Sequence, residues 1–151
     1  MYIEMAKEWS CGEDHDGFAN EYEINMDGLK VLNLNLPEFT ILHWLAVLLK
    51  NRSFRLTNPI AKDAKEYLLE NFPLNTEDYD VIIGCRADDS YFSFAEDFLN
   101  NAISVKKLEK AMRLGNLGEQ IVLISERAFS CIRFVNAVNA DSADREKYYV
   151  P

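Results

Sequence analysis

The sequence predicts an α+β domain, and three observations lead there. The run from Tyr79 to Cys85 is apolar except for Asp80, and its consecutive Val81, Ile82 and Ile83 require a strand covered on both faces. Around it lie segments with helical spacing, of which Asn58 to Pro73 is the clearest. Strands and helices are interspersed without regular β-α-β alternation, which favours α+β over a doubly wound sheet.

In chain order, residues 2–10 read as a short amphipathic helix with Ile3, Ala6 and Trp9 on one side and no good cap. Ser10 to Gly17 is an acidic loop. Phe18, Asn20, Tyr22 and Ile24 alternate with Ala19, Glu21, Glu23 and Asn25, the period of a half-buried strand. Met26-Asp27-Gly28 is a turn and Leu29 to Asn35 a second strand, so the two form a candidate hairpin. Pro37 is expected to open a helix whose apolar residues, Phe39 to Leu49, cover nearly its whole circumference. A basic turn with Lys50, Arg52 and Arg55 follows.

Asn58-Pro59 is a cap residue followed by proline at the first helical position. Ile60, Ala64, Tyr67, Leu68 and Phe72 would line one face, and Pro73 ends the helix. After the strand to Cys85, Gly84 lets the chain bend and Asp88 or Asp89 caps a helix carrying Tyr91, Phe92, Phe94, Ala95, Phe98 and Leu99. Ser104 caps another helix, with Val105, Leu108 and Met112 inward and Gly115 as its stop. Glu119 to Ile124 is a strand, Ser125 to Ser130 a helical turn and Cys131 to Val138 a last strand. Residues 1–138 thus make one domain, and 139–151 are polar and expected to fray despite Tyr148, Tyr149 and Val150.

The 151 residues fit one domain with a real core. A net charge of −9 argues against general binding to nucleic acid or anionic membrane. Three cysteines, an odd number without CxxC spacing, suit reduced thiols in a cytoplasm. Glu4, Lys7 and Glu8 interrupt any early apolar run of the signal-peptide kind, and Phe39 to Leu49 is too short to span a bilayer.

Each candidate site has a plain alternative. Cys11, Glu13, Asp14, His15 and Asp16 could hold zinc, but no second ligand pair has zinc spacing, and a solvated loop tip is the simpler reading. His43 sits on an apolar helix, where one hydrogen-bond partner in the core is the default and a catalytic base the sharper reading. Arg86, Asp88 and Asp89 follow a buried strand, a place where ligands often bind, although the residues alone favour a helix cap. Glu119 and Gln120 open a strand. In a cleft, the carboxylate could stabilise positive charge at a sugar carbon by accepting a hydrogen bond from its hydroxyl.

Several stretches together resemble a bacterial family of unknown function related in fold to the ADP-ribosyltransferase toxins. They are Ala6-Lys7-Glu8-Trp9, Asp16-Gly17-Phe18-Ala19, Ile41-Leu42-His43-Trp44-Leu45, Tyr79 to Gly84, Arg86-Ala87-Asp88-Asp89-Ser90-Tyr91-Phe92 and Gly118-Glu119-Gln120-Ile121-Val122-Leu123. The resemblance covers about residues 1–135, and the Arg-Ala-Asp-Asp-Ser-Tyr-Phe run is its most specific part. It implies a split, twisted β-sandwich clasping NAD, with helices on one side. Such transferases break the nicotinamide–ribose bond and need a carboxylate at the start of a late strand. In the eukaryotic polymerase-type pattern that position looks like Glu119; in the Arg-specific toxin pattern it is Gln120, an amide. The resemblance implies that Glu119 stabilises the oxocarbenium and Gln120 orients ribose or acceptor. It implies that Arg86, Asp88, Asp89 and Tyr91 bind the cofactor, the last two shaping the acceptor side.

Full-length members look as if they begin with a His-Gly strand and a Gly-Phe-Tyr strand ahead of the Ala-Lys-Glu-Trp helix. This chain begins inside that helix, so the resemblance implies an incomplete ADP-ribosyltransferase-like sandwich, half of the NAD site missing and little or no transferase activity. Open sheet edges would then invite edge-to-edge dimers. The rival reading is a non-catalytic acidic module that binds a basic protein partner. A metal-dependent hydrolase built on Cys11 and His15 is the third.

Overall fold

The computed structural model describes residues 3–12, 14–85, 89–112 and 119–144. The elements are α1 (Ile3–Ser10), β1 (Gly17–Ile24), β2 (Val31–Asn33), α2 (Ile41–Asn51), α3 (Pro59–Asn71), a 3-10 turn (Thr76–Asp78), β3 (Val81–Cys85), α4 (Asp89–Leu99), α5 (Val105–Ala111), β4 (Glu119–Leu123), α6 (Glu126–Ser130) and β5 (Ile132–Ala140). Mixed helix and strand without regular alternation is the α+β class that the sequence predicts.

The strands form two sheets. In one, β3 lies between β2, which is parallel to it, and β4, which is antiparallel. The other is a ribbon of β1 and β5, antiparallel from Gly17 opposite Ala140 to Ile24 opposite Ile132. The expected hairpin of β1 with the next strand is therefore wrong. The turn at Met26 to Gly28 forms, with Gly28 at φ 74°, but it sends the chain to a different sheet. β2 is also shorter than Leu29 to Asn35.

The main core gathers α2, α3, α4, α5 and the sheet around Leu32, Leu45, Leu49, Leu68, Leu99 and Leu108, each at most 3% exposed. Helix starts follow the capping chemistry read from the sequence. Asn58 Oδ1 accepts from the Ala61 N–H at 2.8 Å with Pro59 at the first helical position. Ser104 and Ser125 accept from Lys107 and Ala128 N–H groups in the same way. Each such cap is worth about 1 kcal/mol. α2, by contrast, starts at Ile41 rather than Pro37. The chain first makes a turn closed by Phe39 N–H to Leu36 O, and Thr40 becomes the cap position. Its residues Trp44, Leu45, Ala46 and Leu49 are buried, and only Lys50 and Asn51 of the helix are exposed.

Several buried faces differ from expectation, and in β1 close approach explains the difference. In β1 the large residues point out: Phe18 is 64% and Tyr22 52% exposed, while Gly17 and Ala19 are buried. α1 crosses this face so tightly that a Cβ on Gly17 would overlap the Ser10 carbonyl oxygen. Only small residues fit beneath it. α1 itself buries Met5 and leaves Trp9 outside. α3 buries Ala61 and Leu68, whereas Ile60 and Tyr67 are exposed. Gly84 is no bend: it sits inside β3 opposite Gln120. β5 runs to Ala140, past the expected boundary at Val138, and the Ser142 N–H and hydroxyl both donate to Asp16 Oδ1. Those bonds, the N–H foremost, hold the Asp16 carboxyl below the usual range.

In the three-stranded sheet, Asp80 fixes the end where β3 starts. Its Oδ2 accepts from the Lys30 N–H at 2.8 Å and its Oδ1 from the Ser125 hydroxyl at 2.6 Å. Its carbonyl accepts from the Ile124 N–H at 2.9 Å. One residue thus ties the start of β3 to the approach to β2 and to the end of β4.

Candidate functional site

β2 and β3 run parallel and stop at Asn33 and Cys85. Beyond their carboxyl ends lies a hollow of about 750 Å³, the place where ligands of open α/β sheets commonly bind. Asn35, Phe39, Thr40, Phe72, Glu109 and Glu119 are among its lining residues. β3 and β4 pair with Cys85 opposite Glu119, which brings that carboxylate to the rim. Glu119 is exposed, and its Oε1 accepts from Asn35 Nδ2 at 2.7 Å. The Asn35 N–H in turn donates to Asn33 Oδ1 at 3.0 Å, which turns the chain out of β2. The carboxylate is therefore oriented from one side, and among the described residues Oε2 makes no hydrogen bond.

His43 closes the start of α2. Its Nδ1 accepts from the Thr40 N–H at 3.0 Å, so the ring carries its proton on Nε2. The ring lies edge-on between Phe39 and Phe72, at centroid distances of 5.6 and 5.1 Å. This is a packing role close to the single-partner histidine expected from sequence.

Successive residues of a strand point to opposite faces. Gln120 consequently leaves Glu119 and enters a second hollow, of about 460 Å³, between α2 and the sheet. Its cross-strand partner is Gly84, and Ile82 pairs with Val122 on the same face. Leu34, Trp44 and Cys85 line both hollows. Trp44 is 7% exposed, and its indole N–H donates to the Cys85 carbonyl at 3.1 Å, so the wall between them is fixed.

Of the residues singled out in the sequence, the structure brings Glu119 to the strand ends and sets Gln120 on the other side of the sheet. Arg86 and Asp88 lie outside the described residues. Asp89 and Tyr91 belong to the first turn of α4, which follows β3. In the acidic loop Glu13 is outside the described residues, Cys11 is buried at 4% exposure, and Asp14, His15 and Asp16 are exposed. Among the described residues no three His, Cys, Asp or Glu side chains come together as a metal site. Cys11, Cys85 and Cys131 carry thiols and are not joined in disulfides. Asn35 and Trp44 were not singled out as site residues. A polar residue between Leu34 and Leu36, just ahead of Pro37, was the available signal for the first.

A family model described as "Protein of unknown function (DUF3990)" matches residues 1–134. The chain belongs to that family. No curated protein and no solved structure matches it. Membership accounts for the resemblance to a family of unknown function over nearly the whole chain. Among the described residues of this DUF3990 protein, no helix is long and apolar enough to cross a membrane.

Proposed function

We propose that the chain is an ADP-ribosyltransferase-like domain that takes NAD into the hollow beyond β2 and β3. The observation that carries the reading is the β3–β4 register, which sets the Glu119 carboxylate at the strand ends beside that 750 Å³ space. In the reaction the bond between nicotinamide nitrogen and ribose carbon breaks, and its electron pair leaves with nicotinamide. The ribose carbon becomes positive. Glu119 stabilises it by accepting a hydrogen bond from a ribose hydroxyl, held in place by Asn35. A nucleophile, either a hydroxyl or amine of the acceptor or water, then attacks that carbon and loses a proton. Gln120 opens onto the other hollow, so Glu119 alone takes the charge-stabilising role in this reading. Asp89 and Tyr91, at the start of α4, are the acceptor-side positions, and Arg86 and Asp88 remain cofactor positions by resemblance.

The resemblance implies little or no transfer to an acceptor by this chain, and because Glu119 is exposed, water competes with any acceptor and slow NAD hydrolysis is the residual activity expected. NAD should raise the melting temperature of the 151-residue chain and release nicotinamide on incubation. Glu119→Gln should keep NAD binding within a few-fold and cut nicotinamide release about 100-fold. Equal release from the variant, or no melting shift with the parent chain, overturns the reading.

The ribbon favours a second reading, a non-catalytic module for a basic protein partner. Phe18, Tyr22 and Phe134 are each more than half exposed, and the exposed Glu21 and Glu23 occupy the alternate positions of β1, with Glu23 paired to Arg133. Edge-to-edge dimers are a further partner option, because β4 has β3 as its one strand partner among the described residues. Sedimentation at two concentrations and a pull-down with a basic bait distinguish these from an NAD-binding monomer.

A further inference from the structure

We propose that the hollow between α2 and the sheet binds a small amphipathic carboxylate, an apolar chain ending in one negative charge. The site lies on the opposite face of β4 from Glu119 and does not depend on the NAD reading.

Its body is apolar. Trp44, Val47, Leu48 and Ile82 line it together with Val122 and Ile124 of the β4 segment. Val122 and Ile124 are 45% and 40% exposed, a costly arrangement for apolar residues beside a preformed cavity. Gly84 contributes no side chain at the centre of this face, which leaves the room. A volume of about 460 Å³ suits a ligand of moderate size.

Its polar end carries the stronger signal. Thr76 is the buried polar side chain of the described residues, at 8% exposure, and it lines the hollow. Its hydroxyl makes no hydrogen bond among the described residues. Buried polar groups are nearly always paired, so a buried hydroxyl on a residue that lines a cavity calls for a ligand acceptor. Lys50 and Arg52 stand at the same end. Lys50 Nζ lies 3.8 Å from Glu77 Oε1, which joins the end of α2 to the turn carrying Thr76. Lys50, Arg52 and Glu77 sum to one positive charge in a chain whose net charge is −9. Cations after a helix are also expected for its dipole alone. That explains Lys50 and Arg52 but not the Thr76 hydroxyl. A carboxylate would accept from Thr76 and pair with Arg52 while its chain covers Val122 and Ile124.

The probe is decanoate, titrated into the full chain carrying Trp9→Phe, so that Trp44 is the remaining indole. Saturable change in Trp44 fluorescence is expected. Arg52→Gln should weaken decanoate about tenfold, and decanol should bind at least as weakly to the parent protein. Thr76→Val should weaken decanoate several-fold yet raise the melting temperature without ligand, because it removes an unpaired buried hydroxyl. Glu119→Gln should leave decanoate binding unchanged, which separates this site from the NAD reading. No saturation, equal affinity for decanol, an unaffected Arg52→Gln, or a Thr76→Val protein that melts lower each overturns the proposal.

Discussion

Replacing Ser125 by Ala tests the lock that sets the β3–β4 register. The Ser125 hydroxyl has two bonds: it accepts from the Ala128 N–H at 3.0 Å and donates to Asp80 Oδ1 at 2.6 Å. Losing the cap alone costs about 1 kcal/mol. For a chain of this length that is about 2–4 °C in melting temperature. Losing the bond to Asp80 adds to it in a pH-dependent way. The Asp80 carboxyl is held below the usual carboxylate range, first by the Ser125 hydroxyl and then by the Lys30 N–H, with burial pushing the other way and the charges of Arg127 and Lys30 adding to the lowering. An anion bound better in the fold stabilises the fold while the carboxyl is ionised. That contribution is complete above the unfolded-chain value of about 3.9 and disappears as pH falls through the lower native value.

Urea unfolding at pH 7 and near pH 3 should therefore show a larger gap between parent and Ser125→Ala at pH 7. At acid pH the gap should shrink toward the cap contribution. Asp80→Asn should flatten the acid limb of the parent's stability curve. If Ser125→Ala matched the parent at pH 7, or if the gap stayed constant down to pH 2, the lock as described would be wrong. The consequence for the site is direct. A one-residue slip of β4 exchanges its faces, which would turn Glu119 into the hollow beside α2 and Gln120 toward the strand ends.

Three further outcomes follow from local geometry. Asn58→Ala should cost about 1 kcal/mol by removing the bond to the Ala61 N–H, read by thermal unfolding. Gly17→Ala should cost about 1–3 kcal/mol, because its Cβ meets the Ser10 backbone and the helix or strand must shift. Gly84→Ala should be neutral or stabilising by about 0.4–1 kcal/mol, since the new Cβ would lie 3.5 Å from Trp44 Cδ1 and 3.6 Å from Leu34 Cβ, ordinary contacts.

Local chemistry made the helix starts at Asn58, Ser104 and Ser125 legible, because a cap is decided by residues three or four apart. The strands at Val81–Cys85 and Glu119–Leu123 were legible because consecutive β-branched residues have few other uses. Partner choice was not. Whether β1 pairs with β2 or with β5 depends on residues more than a hundred positions away, and the turn at Met26 to Gly28 suits either. Inward faces failed where backbones approach closely. Period-two reasoning sends Phe18 and Tyr22 inward, yet the space under α1 admits only Gly17 and Ala19.

The same alternation decides what could be read of the site. Glu119 and Gln120 are adjacent in sequence, and a family pattern can be fitted to either. A strand cannot present both to one ligand. The pairing of Cys85 with Glu119 and of Gly84 with Gln120 assigns the carboxylate to the strand ends and the amide to the hollow beside α2. Two side chains that the sequence places side by side are thereby divided by a single sheet. The carboxylate has Asn35 to hold it and space beyond the strands, as charge stabilisation requires. The amide shares its hollow with Thr76, Arg52 and apolar side chains, the lining that the proposed carboxylate site uses. Under the two proposals, substitutions at the two positions should separate: Glu119 variants should change nicotinamide release alone, and Gln120 variants should change decanoate binding alone.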